Sequence, residues 1–119
     1  MFQLTGPNEN DVLTVKPQGR VTKADYDDFL PQLESLLETQ GKLRFFIDLK
    51  EFTGIEPSAV WQDIKFDVEH RNRYGRTSIV GTDRWAAIAA RLSGLLFGAE
   101  VKYFDEAKRD EAWRWVNES

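Results

Sequence analysis

Leu43–Leu49 reads LRFFIDL. Only Arg44 and Asp48 interrupt the apolar residues. A run this short and this apolar marks a strand covered on both faces. Covering both faces requires helices above and below, and parallel strands joined by crossovers supply them. On the N-terminal side, Gly41 ends a helix that carries Tyr26, Phe29, Leu30, Leu33, Leu36 and Leu37 at helical spacing. Thr22 is its N-cap, because a threonine hydroxyl accepts a free amide of the first turn. Pro31 falls inside this helix and predicts a bend. Before it, Phe2–Leu4 and Asp11–Pro17 read as two strands of a hairpin, joined through the turn residues Gly6, Pro7 and Asn8.

On the C-terminal side, KEFTGIEP (Lys50–Pro57) reads as a loop, with Pro57 suited to the first turn of the next helix. That helix is predicted to run to about Tyr74, with Val60, Trp61, Ile64 and Val68 on one face. Thr77–Val80 is the next strand. A helix over Asp83–Phe97 follows, capped by Thr82 or Asp83. Val101–Phe104 is the last strand and Glu106–Asn117 the last helix. The order is ββαβαβαβα. It predicts an α/β fold, a mainly parallel mixed sheet flanked by helices, over residues 1–119 as one domain.

The bulk numbers narrow the function. The chain has 119 residues, 41% hydrophobic and 30% charged, an ordinary globular balance. A net charge of −4 argues against a general nucleic-acid binder. There is no cysteine, so no disulfide, thiolate nucleophile or cysteine metal site is expected. Met1–Asn10 lacks the basic region and apolar run of a signal peptide. Arginines and glycines interrupt the longest apolar stretch, Asp83–Val101, which makes it a poor membrane span. A cytoplasmic protein, touching a membrane at most from its side, is the expectation.

Several stretches resemble the SpoIIAA-like proteins of the STAS/CRAL-TRIO-like group. VTKADYDDFLPQLESLL looks like that family's first helix, proline included. KLRFFIDLKEFTGIEPSAVWQDIKF looks like its central strand, loop and tryptophan-containing helix. SIVGTDRW and AEVKYFDEAKRDEAWRWV look like its last two strands and their helices. The resemblance implies a small sheet flanked by helices, with roles in binding apolar ligands or associating with membranes. It also implies kinship with anti-anti-sigma factors, which are switched by phosphorylation of a serine opening the helix after the central strand. Counted from Asp48, Ser58 falls at that place, although its neighbours Pro57 and Ala59 depart from the family's pattern. A helix N-terminus favours an added phosphate, but a serine there is also an ordinary first-turn residue.

Read from the residues, Trp85, Ile88, Leu92, Leu95 and Leu96 form one stripe of the Asp83–Phe97 helix, wide enough for a core face. The opposite side holds Arg84, Ala87, Ala90, Arg91, Gly94 and Gly98, and Ala86, Ala90 and Gly94, at intervals of four, suit close approach of another helix, a second copy of the chain, or a lid. Phe97 and Phe66 both lie off their helices' core stripes. They are candidates to line an apolar or lipid pocket, with Trp61 and Trp85 beside them and His70 near Phe66. Packing on neighbouring helices or a partner subunit explains the same residues.

Arg71, Arg73, Arg76, Arg84 and Arg91 are candidates to meet an anionic headgroup. For the first three, a plainer account is the dipole of a helix C-terminus, with Asp67 able to pair with Arg71 at i,i+4. His70 is the only histidine and no metal-ligand spacing accompanies it. There is no nucleophile elbow, P-loop or dinucleotide fingerprint, and no enzyme or cofactor is expected. Trp113 and Trp115 suit a C-terminal helix docked on the sheet, with Trp115 and Val116 inward. Two readings result: binding of an apolar or amphipathic ligand with reversible membrane contact, or a protein-interaction module of the anti-sigma-factor-antagonist type.

Overall fold

The computed structural model describes residues 1–56, 74–86 and 100–118. Strand β1 (Phe2–Thr5) and β2 (Val12–Pro17) form the expected hairpin, paired antiparallel from Phe2↔Pro17 to Thr5↔Thr14. Asn8 shapes the turn by accepting the amides of Asn10 at 2.9 Å and Val12 at 3.0 Å. After β3 (Gly19–Val21), helix α1 runs over Lys23–Gln40. Thr22 caps it as read from the sequence, within a capping box. Its Oγ1 accepts from the Asp25 amide at 3.2 Å, and Asp25 Oδ2 accepts from the Thr22 amide at 2.9 Å. The helix continues through Pro31 and ends where the Gly41 amide donates to the Leu37 carbonyl at 2.8 Å.

The run that decided the fold forms β4 (Leu43–Asp48). With β5 (Phe52–Ile55), β6 (Tyr74–Gly81) and β7 (Val101–Asp105) it completes the described strands. The main sheet has the order β1-β2-β4-β6-β7, and every pair except β1/β2 is parallel. Adjacent phenylalanines of β4 go to opposite faces, as alternation requires. Phe45 joins the core under α1 with Leu13, Phe29, Leu33, Leu37 and Ile79. Phe46 joins a second core with Val12, Val80, Ala112 and Val116, under the C-terminal helix Arg109–Asn117.

The sequence reading lacks β3, and three further boundaries differ from it. The stretch expected as a loop contains β5, which pairs in parallel with β3 in a separate two-stranded sheet. Its sequence, FTGI, has little strand signal because Gly54 interrupts it at φ 153°, a conformation that side chains rarely adopt. Tyr74 begins β6 rather than ending a helix, and the strand is longer than Thr77–Val80. Gly75 hides that extension: it is a weak strand former, yet a side chain there would meet the Leu43 carbonyl at 3.1 Å. The last helix begins with a 3-10 turn, Glu106–Lys108, capped by Asp105. Most of the two helices expected over Pro57–Tyr74 and Asp83–Phe97 lies outside the described residues. The second opens with a 3-10 turn at Asp83–Trp85.

Ser78 sits on central strand β6 with no solvent exposure, and its hydroxyl finds no hydrogen-bond partner among the described residues. An unsatisfied buried hydroxyl destabilises the fold. Ser78→Ala is therefore expected to raise stability by about 1 kcal/mol in urea unfolding. A loss of stability would show that the hydroxyl is satisfied.

Candidate functional site

Because β4, β6 and β7 are parallel, their carboxyl ends share one edge of the sheet, the usual place for sites in open α/β sheets. Asp48 ends β4 there and is only 6% exposed. One of its carboxylate oxygens accepts from the Lys50 amide at 3.0 Å, and the other pairs with the Arg109 guanidinium at 2.7 Å. The Leu49 amide donates to the Val80 carbonyl at 2.8 Å, joining the β4 exit to β6. Next the chain leaves the main sheet and pairs with β3. The Gly19 amide donates to the Glu51 carbonyl and the Glu56 amide to the Val21 carbonyl, both at 2.8 Å. The last described residue before Pro57 and Ser58 is thus anchored to the strand that leads into the α1 cap.

Charge is concentrated along this edge. Glu51 lies 3.3 Å from Lys16 and accepts from Gln18 Nε2 at 3.0 Å. The Gln18 hydrogen bond, then Lys16, holds its carboxyl below the usual range. The Tyr103 hydroxyl donates to the Thr82 carbonyl, and burial, followed by the charges of Asp83, Asp105 and Glu106, pushes its pKa up.

Of the residues singled out from the sequence, Ser58, Trp61, Phe66, His70, Arg71, Arg73, Arg91 and Phe97 lie outside the described residues. Trp85 is partly buried against the α1-side core, with its ring centroid 4.7 Å from that of Phe52. The exposed Arg84 lies over the Trp85 ring at 4.9 Å. Arg76 and Arg84 do not meet. Arg76 stands at the start of β6, and Arg84 follows its end, so at least about 16 Å of strand separates them.

Arg76 serves the C-terminal helix instead. It donates to the Trp115 carbonyl at 2.9 Å and stacks 4.9 Å from the centre of the Trp115 ring. Arg44, on neighbouring β4, donates to the Val116 carbonyl at 3.0 Å. The two arginines cover the helix's carbonyl end, while Asp48 pairs at its amino end. The arginines complement the dipole at the carbonyl end, and Asp48 neutralises Arg109 at the amino end. The geometry matches: Arg44 to Asp48 spans about 13 Å of strand, and nine helical residues span about 12 Å. Val116 is fully buried and Trp115 partly so, as expected, while Trp113 is 40% exposed, edge-on to Phe46.

Asp48 and Arg109 were not singled out from the sequence. A carboxylate ending an otherwise apolar strand was the available signal. Among the described residues, no helix is long and apolar enough to cross a membrane, and no cluster of His, Asp or Glu could hold a metal.

Comparison with known proteins places this geometry. An uncharacterized protein of SpoIIAA-like fold from Shewanella loihica PV-4 is 29% identical, with a TM-score of 0.77 over 98% of this chain and 92% of that one. The anti-sigma factor antagonist SpoIIAA in its unphosphorylated form is 11% identical, with a TM-score of 0.59 over 96% and 98% of the two chains. The Bacillus cell fate determinant SpoIIAA in its phosphorylated form is 13% identical, with a TM-score of 0.62 over 98% and 99%. These two show likeness of fold alone. No curated protein matches the chain. The sequence pattern of the SpoIIAA-like family matches residues 12–117, from the first parallel strand to the end of the C-terminal helix, and the chain belongs to that family.

Proposed function

We propose that this protein is a non-enzymatic interaction module of the anti-sigma-factor-antagonist type, working in the cytoplasm. Its contact surface is the carboxyl edge of the sheet and the segment that begins with Pro57 and Ser58, which the sequence reads as a helix. The observation that carries the reading is the shared fold: SpoIIAA, solved in unphosphorylated and phosphorylated forms, matches nearly the whole chain. The anchoring of Glu56 on Val21 supports it, because the segment leading to Ser58 is tied to β3, the strand that leads into the α1 cap. The apolar-ligand reading draws less support. The Trp85 ring, one of its pocket residues, packs on Phe52.

The test is affinity isolation from the source cells with wild type, Ser58→Ala and Ser58→Asp as baits, plus mass spectrometry of Ser58. The expected result is a protein partner held by the first two and weakened roughly tenfold or more by the third, since added negative charge at a contact repels or desolvates poorly. Equal retention by all three would reject the switch. Salt-sensitive binding to anionic vesicles, with no protein partner, would restore the membrane reading.

A further inference from the structure

The opposite border of the sheet carries a second surface. Strand β1 is an edge strand, and among the described residues it pairs only with β2. Met1 and Gln18 exchange both backbone hydrogen bonds, at 2.7 and 3.1 Å. Antiparallel ladders alternate bonded and non-bonded pairs. The pairs Gln3↔Lys16 and Thr5↔Thr14 therefore face inward, and Phe2↔Pro17 and Leu4↔Val15 do not. Pro17 fits this, having no amide to offer Phe2. The amides and carbonyls of Phe2 and Leu4 consequently point out of the sheet.

Between this edge and α1 lies an open groove of about 160 Å³. Phe2, Leu4 and Phe29 supply apolar lining, with the Phe2 and Phe29 rings stacked at 4.3 Å. Asp25, Asp28 and Gln32 of α1 form its polar side. Asp25 is engaged by the Thr22 amide and the Met1 ammonium, whereas Asp28 is exposed. The flanking helix carries Lys23 alone against Asp25, Asp27, Asp28, Glu34 and Glu38.

We propose that this border receives an extended basic segment of a partner protein as an added strand. Phe2 and Leu4 supply the main-chain hydrogen bonds, the groove takes an apolar side chain, and Asp28 takes a lysine or arginine. Strand addition works in this way generally: backbone bonds hold the segment, and flanking pockets select its side chains. Charge selects the occupant. A second copy pairing edge to edge would bring two acidic α1 helices together, which is unfavourable, whereas a basic segment is complementary. The surface lies on a different border from the carboxyl edge of the sheet and stands independently of the contact proposed there.

The experiment titrates the full chain with two synthetic eight-residue peptides, threonine-valine-threonine-arginine repeated and the same sequence with glutamate for arginine, which put valine and the charged residue on one strand face, followed by backbone NMR and amide exchange. The arginine peptide is expected to bind, to shift the Phe2 and Leu4 resonances and to slow exchange of their amides. The glutamate peptide is expected not to bind. Asp28→Lys, a change at an exposed position, should weaken the arginine peptide roughly tenfold, and Ser58→Asp should leave it unchanged. No binding, equal binding of both peptides, shifts that map away from β1, or an unaltered affinity in Asp28→Lys would each overturn the proposal.

Discussion

Arg109→Leu is expected to lower stability by about 2–3 kcal/mol, because it strands a buried carboxylate. Asp48 is 6% exposed, and Arg109 is its charge partner, at 2.7 Å. Without the guanidinium, one carboxylate oxygen keeps only the hydrogen bond from Lys50. The loss falls below that of a fully buried pair because the Arg109 side chain is 35% exposed and water can partly replace it. The double variant Asp48→Leu/Arg109→Leu should recover most of the loss, since an apolar pair of similar size carries no desolvation penalty. Urea unfolding of the two single variants and the double variant measures the coupling directly. A change within about 0.5 kcal/mol in Arg109→Leu would mean the pair behaves as an exposed one.

Leu37→Ala is expected to cost about 3–4 kcal/mol, near the upper part of the range for buried leucines. Leu37 has no exposed surface and lies in the core with Leu33, Leu43 and Ile79. Its neighbour Leu36 is only partly buried against that core, so Leu36→Ala should cost about 1 kcal/mol. Thermal or urea unfolding of the two variants provides the comparison. Equal losses would place both side chains at the same depth and contradict the packing of α1.

This pair also shows what the sequence conveys. Periodicity put Leu36 and Leu37 on one apolar face, and both do turn toward the core. Which of them is sealed depends on where the sheet lies beneath α1, and 3.6-residue spacing carries no information on that. The Thr22 cap was legible because capping is local: its partner Asp25 is three residues away. Strand β5 was not, because its partner Gly19–Val21 lies more than thirty residues earlier and FTGI has no alternating pattern of its own.

The candidate site divides in the same way. Asp48 was visible as a charge ending an apolar strand, but Arg109 is 61 positions away, and no spacing rule links them. Arg76 and Arg84 are close in sequence, which suggested one anion site. The strand between them carries them to opposite edges.

By itself the sequence determined the α/β class, the parallel crossovers and the two-sided burial of LRFFIDL, since these follow from composition and local period. Tertiary structure alone decided which charges meet. It gave Asp48 to one end of the C-terminal helix and Arg44 and Arg76 to the other. Those pairings depend on strand order and on the direction in which the last helix crosses the sheet, and neither is written in the spacing of residues along the chain.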